Sequence, residues 1–176
     1  MSRVIPCFSW LSLTAVLWTA VPIDAQSSRG AAAPAAPAAP AATVAETANV
    51  AAVLRAVFRA AERGDLAALD TLYAGDSLTI IEGAGINRGW ADYRDHHLGP
   101  ELKEMKNLRY QPSDLEVHVV QGTAWVLFTY TLKADVNERA ADSVGRGTAV
   151  LERRGTRWVV RHMQTGGRAR RPTDPA

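Results

Sequence analysis

The chain has 176 residues, with 20 Lys plus Arg against 18 Asp plus Glu, a formal charge of +2 and a single cysteine, Cys7. That length holds one domain with tails, and 47% hydrophobic residues are enough for a core. The balanced charge excludes a dedicated basic nucleic-acid binder. One cysteine excludes an internal disulfide framework and a cysteine-based zinc cluster.

Residues 1–25 read as a secretory signal. Arg3 precedes an apolar run from Val4 to Val21, Pro22 breaks it, and Ala25 offers a small residue at the cleavage point. The expected location is secreted or periplasmic, with membrane attachment only through an uncleaved signal. Cleavage removes Cys7. Residues 26–42 form an Ala/Pro-rich linker without large side chains, which cannot bury enough surface to order itself. The folded unit is expected over residues 43–166, with a basic disordered tail at 167–176.

Val50, Leu54, Val57, Phe58 and Ala61 recur at helical spacing and predict a first helix ending near Gly64. Asp65 is an N-cap candidate for a second helix carrying Leu66, Leu69, Leu72 and Tyr73. Ser77 to Glu82 reads as a strand, followed by a glycine turn. A third helix starts at Trp90, with Gly99-Pro100 kinking or restarting it. Alternation around Val117, Val126 and Phe128, with short turns at Gln121-Gly122 and Arg154-Gly155, predicts an antiparallel meander. The order implies an α+β fold with helices on one face of a curved sheet. The hollow between them is the default binding site.

Four stretches then carry a resemblance: Arg63-Gly64-Asp65-Leu66-Ala67-Ala68-Leu69, Gly89-Trp90-Ala91-Asp92-Tyr93, Gly122-Thr123-Ala124-Trp125-Val126, and the run Arg157 to Thr165. Through them residues 45–166 resemble the SnoaL-like branch of the nuclear-transport-factor-2-like superfamily. The last stretch is also similar to the closing strand of the calcium/calmodulin-dependent kinase association domain. The resemblance implies a cone-shaped α+β barrel with three N-terminal helices on a mainly antiparallel sheet, commonly a homodimer through the outer sheet face. Family functions range from ketosteroid isomerase and polyketide cyclase to non-catalytic assembly, so fold alone does not set function. In ketosteroid-isomerase relatives an aspartate base works with tyrosine donors; here Tyr73, Tyr93, Tyr110 and Tyr130 and the carboxylates Asp76 and Asp92 are available.

The expected ligand-lining set is Trp90, Tyr93, His97, Tyr130, His162 and Gln164. His162 shares a strand face with Trp158, Val160 and Gln164 if alternation is unbroken, with Arg161 on the other face. His162 and Tyr93 are the catalytic candidates, as proton shuttle and hydrogen-bond donor. His97, Glu101 and His162 could form a metal set, but no spacing fixes the distance between helix and strand, so no metal and no cofactor is assigned. The glycine-rich Gly83 to Gly89 segment lacks the strand–helix repeat of a dinucleotide site. The functional expectation is an exported small-molecule-binding protein. The alternatives are a cofactor-independent isomerase, dehydratase or cyclase, and a dimeric assembly module.

Overall fold

The structure is a computed structural model that describes residues 44–174. The expected signal, linker and Cys7 lie outside the described residues. Helix α1 (Val44–Glu62) buries Val50, Leu54, Val57, Phe58 and Ala61, the predicted stripe. Helix α2 (Leu66–Leu72) is capped as its sequence foretells: the Ala68 amide donates to Asp65 Oδ1 at 2.9 Å. Strands β1 (Thr79–Glu82) and β2 (Gly85–Arg88) form a hairpin where a plain glycine turn was expected.

The third helix comes in pieces. Helix α3 (Trp90–Tyr93) runs into a π turn over Arg94–Leu98, and helix α4 (Gly99–Glu104) completes it. Pro100 has no amide to give and its ring would strike the preceding turn, so the helix widens there. Gly99 donates to the Arg94 carbonyl, and a Cβ at Gly99 would collide with that oxygen. A glycine is therefore required at this step. Among the described residues no helix is long and apolar enough to cross a membrane.

Four long strands follow: β3 (Met105–Val120), β4 (Thr123–Val136), β5 (Arg139–Arg154) and β6 (Arg157–Ala169). The sheet order is β2-β1-β6-β5-β4-β3, antiparallel except where β1 runs parallel to β6. Edge strand β3 carries Pro112 and two register shifts, devices that keep an edge from pairing with another chain. The helices cover one face, and the core there includes Phe58, Leu69, Tyr73, Val126, Phe128, Val160 and Met163. This is the expected α+β cone.

Two differences from the sequence expectation stand out. Strand β6 continues to Ala169, and the C-terminal arginines are engaged: Arg168 holds Asp174 at 2.7 Å and Arg170 holds Asp142 at 2.8 Å. The expected disordered tail is thus partly strand and ion-paired turn. The second difference is a β-bulge. Leu151 pairs with Val160 and Val150 with His162, which leaves Arg161 without a partner on β5. The extra residue moves every later side chain of β6 to the other face.

Candidate functional site

Before the bulge, Trp158 and Val160 face the helices; after it, Met163 and Thr165 do, at 3% and 7% exposure. His162 and Gln164 therefore lie on the outer face, against Val150 and Thr148. This corrects the expectation that they line the hollow. It rested on unbroken alternation, which one unpaired residue cancels. Gln164 instead lines an outer groove of about 580 Å³ with Leu127, Thr129, Arg146 and Thr148. Arg161, expected on the face opposite His162, is a surface residue 3.6 Å from Glu152.

The middle of the hollow is occupied by aromatic rings. Tyr110 lies 4.4 Å from Phe58 and 5.4 Å from Tyr130, centroid to centroid, and Phe58 meets Phe128 edge-on at 5.5 Å. Tyr130, expected as ligand lining, is part of this cluster. Strand β5 makes room with glycine: a Cβ at Gly147 would sit 2.5 Å from Phe128 Cζ, and one at Gly145 would overlap the Tyr130 ring. Trp90 and Tyr93 are also buried, beside Tyr73. The Trp90 indole Nε1 is buried with no acceptor among the described residues.

Polar groups gather at one end of the cone. His97, on the π turn, is three-quarters buried. Its Nε2 lies 3.1 Å from Glu82 Oε2 and 3.2 Å from Glu101 Oε1. Its Nδ1 is 2.8 Å from Asn87 Oδ1. Glu82 Oε1 accepts from the Tyr93 hydroxyl at 3.3 Å and from Thr165 at 3.4 Å. The elements that position this set are β1, β2, the helical pieces and β6 beyond the bulge. His97 and Glu101 meet across Gly99-Pro100 despite the widened turn, and Glu82 takes the third place that the sequence had offered to His162.

An outer ring of bonds orients the set. Asp92 Oδ2 accepts from Asn87 Nδ2 and from the Arg88 amide, both at 3.0 Å, and Asp92 Oδ1 lies 3.1 Å from His96. The Asn87 bond, the Arg88 amide and His96 hold the Asp92 carboxyl below its usual range. Asp92 is thus a solvent-side support, and His96 sits outside the site. Glu82 is shifted the other way. Burial raises its carboxyl and the Glu101 charge adds to this, while His97 and the bonds from Tyr93 and Thr165 oppose the rise. Burial likewise raises the Tyr93 and Tyr110 hydroxyls, which stay protonated donors.

Glu82 is the site residue that sequence reasoning missed. A signal existed: on a strand, Glu82 shares its face with buried Ile80. The rim offers hydrogen-bond donors, a carboxyl with raised proton affinity and an imidazole of fixed orientation. Such a set can hold a polar ligand atom or move a proton.

Solved structures share this fold. A candidate dehydratase of the NTF2-like family from Streptomyces avermitilis superposes with a TM-score of 0.65 at 16% identity, covering 72% of this chain and 98% of its own. An NTF2-like superfamily protein from Salmonella enterica gives 0.65 at 17%, covering 77% and 99%. A candidate ketosteroid isomerase from Shewanella frigidimarina gives 0.59 at 21%, covering 65% and 91%. At these identities the likeness establishes the fold alone. No curated protein is similar enough in sequence to match the chain. The SnoaL-like domain model matches residues 50–165, from the first buried turn of α1 to the Thr165 that reaches Glu82, and the chain belongs to that family.

Proposed function

We propose that the chain is an exported small-molecule-binding protein whose ligand places a polar group at the Glu82–His97–Glu101 rim. The observation that carries this reading is the convergence of His97 Nε2 with carboxylates from two other elements, at 3.1 and 3.2 Å, on a partly open edge of the cone. The aromatic floor supplies apolar area and the rim supplies orientation, the usual division in a ligand site. His97→Gln should weaken binding of a ligand found by thermal-shift screening while the protein stays folded. Unchanged affinity rejects the reading. Export is checked by N-terminal sequencing of the protein recovered outside the cytoplasm, with a start after Ala25 expected.

A second reading is proton transfer on an enolisable carbonyl compound, as in an isomerase or dehydratase. It is favoured by the raised proton affinity of Glu82 beside an oriented imidazole. Glu82 would exchange the proton, and Tyr93 would polarise the acceptor only if the ligand displaced its bond to Glu82. Glu82→Gln should abolish turnover and retain binding. A homodimer through the outer face, where Trp125 and Leu127 stand 39% and 44% exposed, fits either reading. Sedimentation tests it.

A further inference from the structure

We propose that Glu82 Oε2, His97 Nε2 and Glu101 Oε1 bind a divalent transition-metal ion of the zinc class. The inference rests on the reading of the rim as the binding site and goes beyond it by naming an inorganic occupant.

The tautomer of His97 is decided by groups outside the three ligands. Asp92 accepts from the Asn87 amide nitrogen, so Asn87 turns its carbonyl oxygen to His97. A carbonyl only accepts, so His97 Nδ1 carries the proton. That points Nε2 between two carboxylate oxygens, 3.1 and 3.2 Å away, where its lone pair can be given to a cation. A proton on Nε2 can align with one of these oxygens only. A cation satisfies all three atoms together. An imidazole whose second nitrogen donates to a fixed carbonyl is the usual arrangement of a metal-bound histidine.

The other ligands are prepared in the same way. Tyr93 and Thr165 occupy Glu82 Oε1 and leave Oε2 to face His97 Nε2. The three residues come from β1, the π turn and α4, and each offers one ligand atom within 4.8 Å of the other two. Atoms bound at about 2.0–2.2 Å around a tetrahedral zinc stand roughly 3.4 Å apart. Two carboxylates also cancel the charge of a dication, which relieves their mutual repulsion.

The ligand types select the ion. One imidazole with two carboxylates suits zinc and its neighbours, whereas magnesium and calcium prefer shells made wholly of oxygen. Three protein ligands leave a further position open. Glu101, 45% exposed, sits on the solvent side, so water or a ligand oxygen can reach it.

The test is a calorimetric titration of the chelator-treated full-length protein with Zn²⁺ alone. One ion per chain is expected, undisturbed by a large excess of Mg²⁺. Glu101→Gln and His97→Gln should each weaken it at least tenfold. Asn87→Ala, which touches no ion, should weaken it about tenfold by releasing His97. Glu101 lies at the rim, so its variant folds even if the His97 variant does not, and thermal melting checks this. Absent binding overturns the proposal, and so does binding weakened less than tenfold in the Glu101 variant, since the ion would then sit at another histidine. Repeating the organic-ligand assay with chelator present separates the two readings. A protein that binds its organic ligand there but ignores Zn²⁺ keeps the function proposed above and loses this one.

Discussion

The two faces of the sheet are built from the same strands, yet they share almost no chemistry. The inner face holds Tyr110, Phe128 and Tyr130 under the Phe58 ring of α1, with glycines beneath Phe128 and Tyr130, and its polar groups are confined to the rim. The outer face carries threonines, Arg146, His162 and Gln164, with His118 stacked on Trp125 at 4.9 Å. On β6 the assignment of residues to faces is made by one backbone insertion. Thr165 reaches Glu82, and His162 does not, because Arg161 is an extra residue.

The strongest way to break this division is to insert an alanine between Val150 and Leu151, which gives Arg161 a partner on β5 and removes the bulge. Restored alternation would turn Met163 and Thr165 outward and press His162 and Gln164 on the core. Losing the Met163 burial costs about 1.5–3 kcal/mol, and each newly buried polar group costs about 1–3 kcal/mol more. The expected destabilisation is over about 4 kcal/mol by denaturant unfolding. Arg161→Ala keeps the bulge and loses an exposed ion pair worth about 0–1 kcal/mol. If both variants unfold alike, the bulge does not set the faces.

The next effect is smaller and belongs to the inner face alone. Gly147→Ala places a Cβ 2.5 Å from the Phe128 ring and 2.7 Å from the Gln164 carbonyl. Overfilling of this kind costs about 1–3 kcal/mol. Adding Phe128→Leu should recover part of the loss, because the ring can be trimmed and the carbonyl cannot. The two changes will not add, as contacting residues rarely do.

This contrast also shows what the sequence could carry. The α1 stripe, the Asp65 cap, the meander turns and the family stretches were legible because each is local, with period or spacing in the residues themselves. The spacing of His97 and Glu101 is legible in the residues, and the π turn keeps the two together across Gly99-Pro100. Glu82 is readable two residues beyond Ile80, but a lone carboxylate on a four-residue strand gives no local sign of the partners it meets. The bulge at Arg161 leaves no mark in composition or alternation, since it is fixed by pairing with β5. No reading of β6 alone could have moved His162 outward.

The carboxylates at the two ends of the sheet sharpen the comparison through pH. Burial raises Glu82, so the folded state holds its proton longer than the unfolded chain does. Below the ordinary carboxylate value both states are protonated and Glu82 contributes nothing. As pH rises past it the unfolded chain ionises first, and stability falls until the folded carboxyl has also ionised. Asp142 and Asp174 behave oppositely. Their bonds to Arg170 and Arg168 lower them. Their contribution is present above the ordinary value and is lost as pH falls through their depressed values. Glu82→Gln should flatten the fall in stability from pH about 4.5 upward and leave the acid limb in place. Asp142→Asn with Asp174→Asn should do the reverse. Chemical denaturation across pH 2–8 reads both slopes, and a Glu82 variant with an unchanged upper slope would contradict the burial assignment.

The smallest expected effect lies on the outer face. Leu127 is 44% exposed there, so Leu127→Ser removes little buried area from a single chain. Its unfolding free energy at high dilution should stay within about 0.5 kcal/mol of the parent. The same substitution meets a different situation if two copies join through this face. Leu127 and Trp125 would then be desolvated by the partner, and stability would depend on protein concentration. Sedimentation of the parent should show a dimer that dissociates in the variant, with the folded monomer retained. A parent that sediments as a monomer at high concentration removes the dimer. A variant that melts at high dilution removes the premise that the outer face contributes little within one chain.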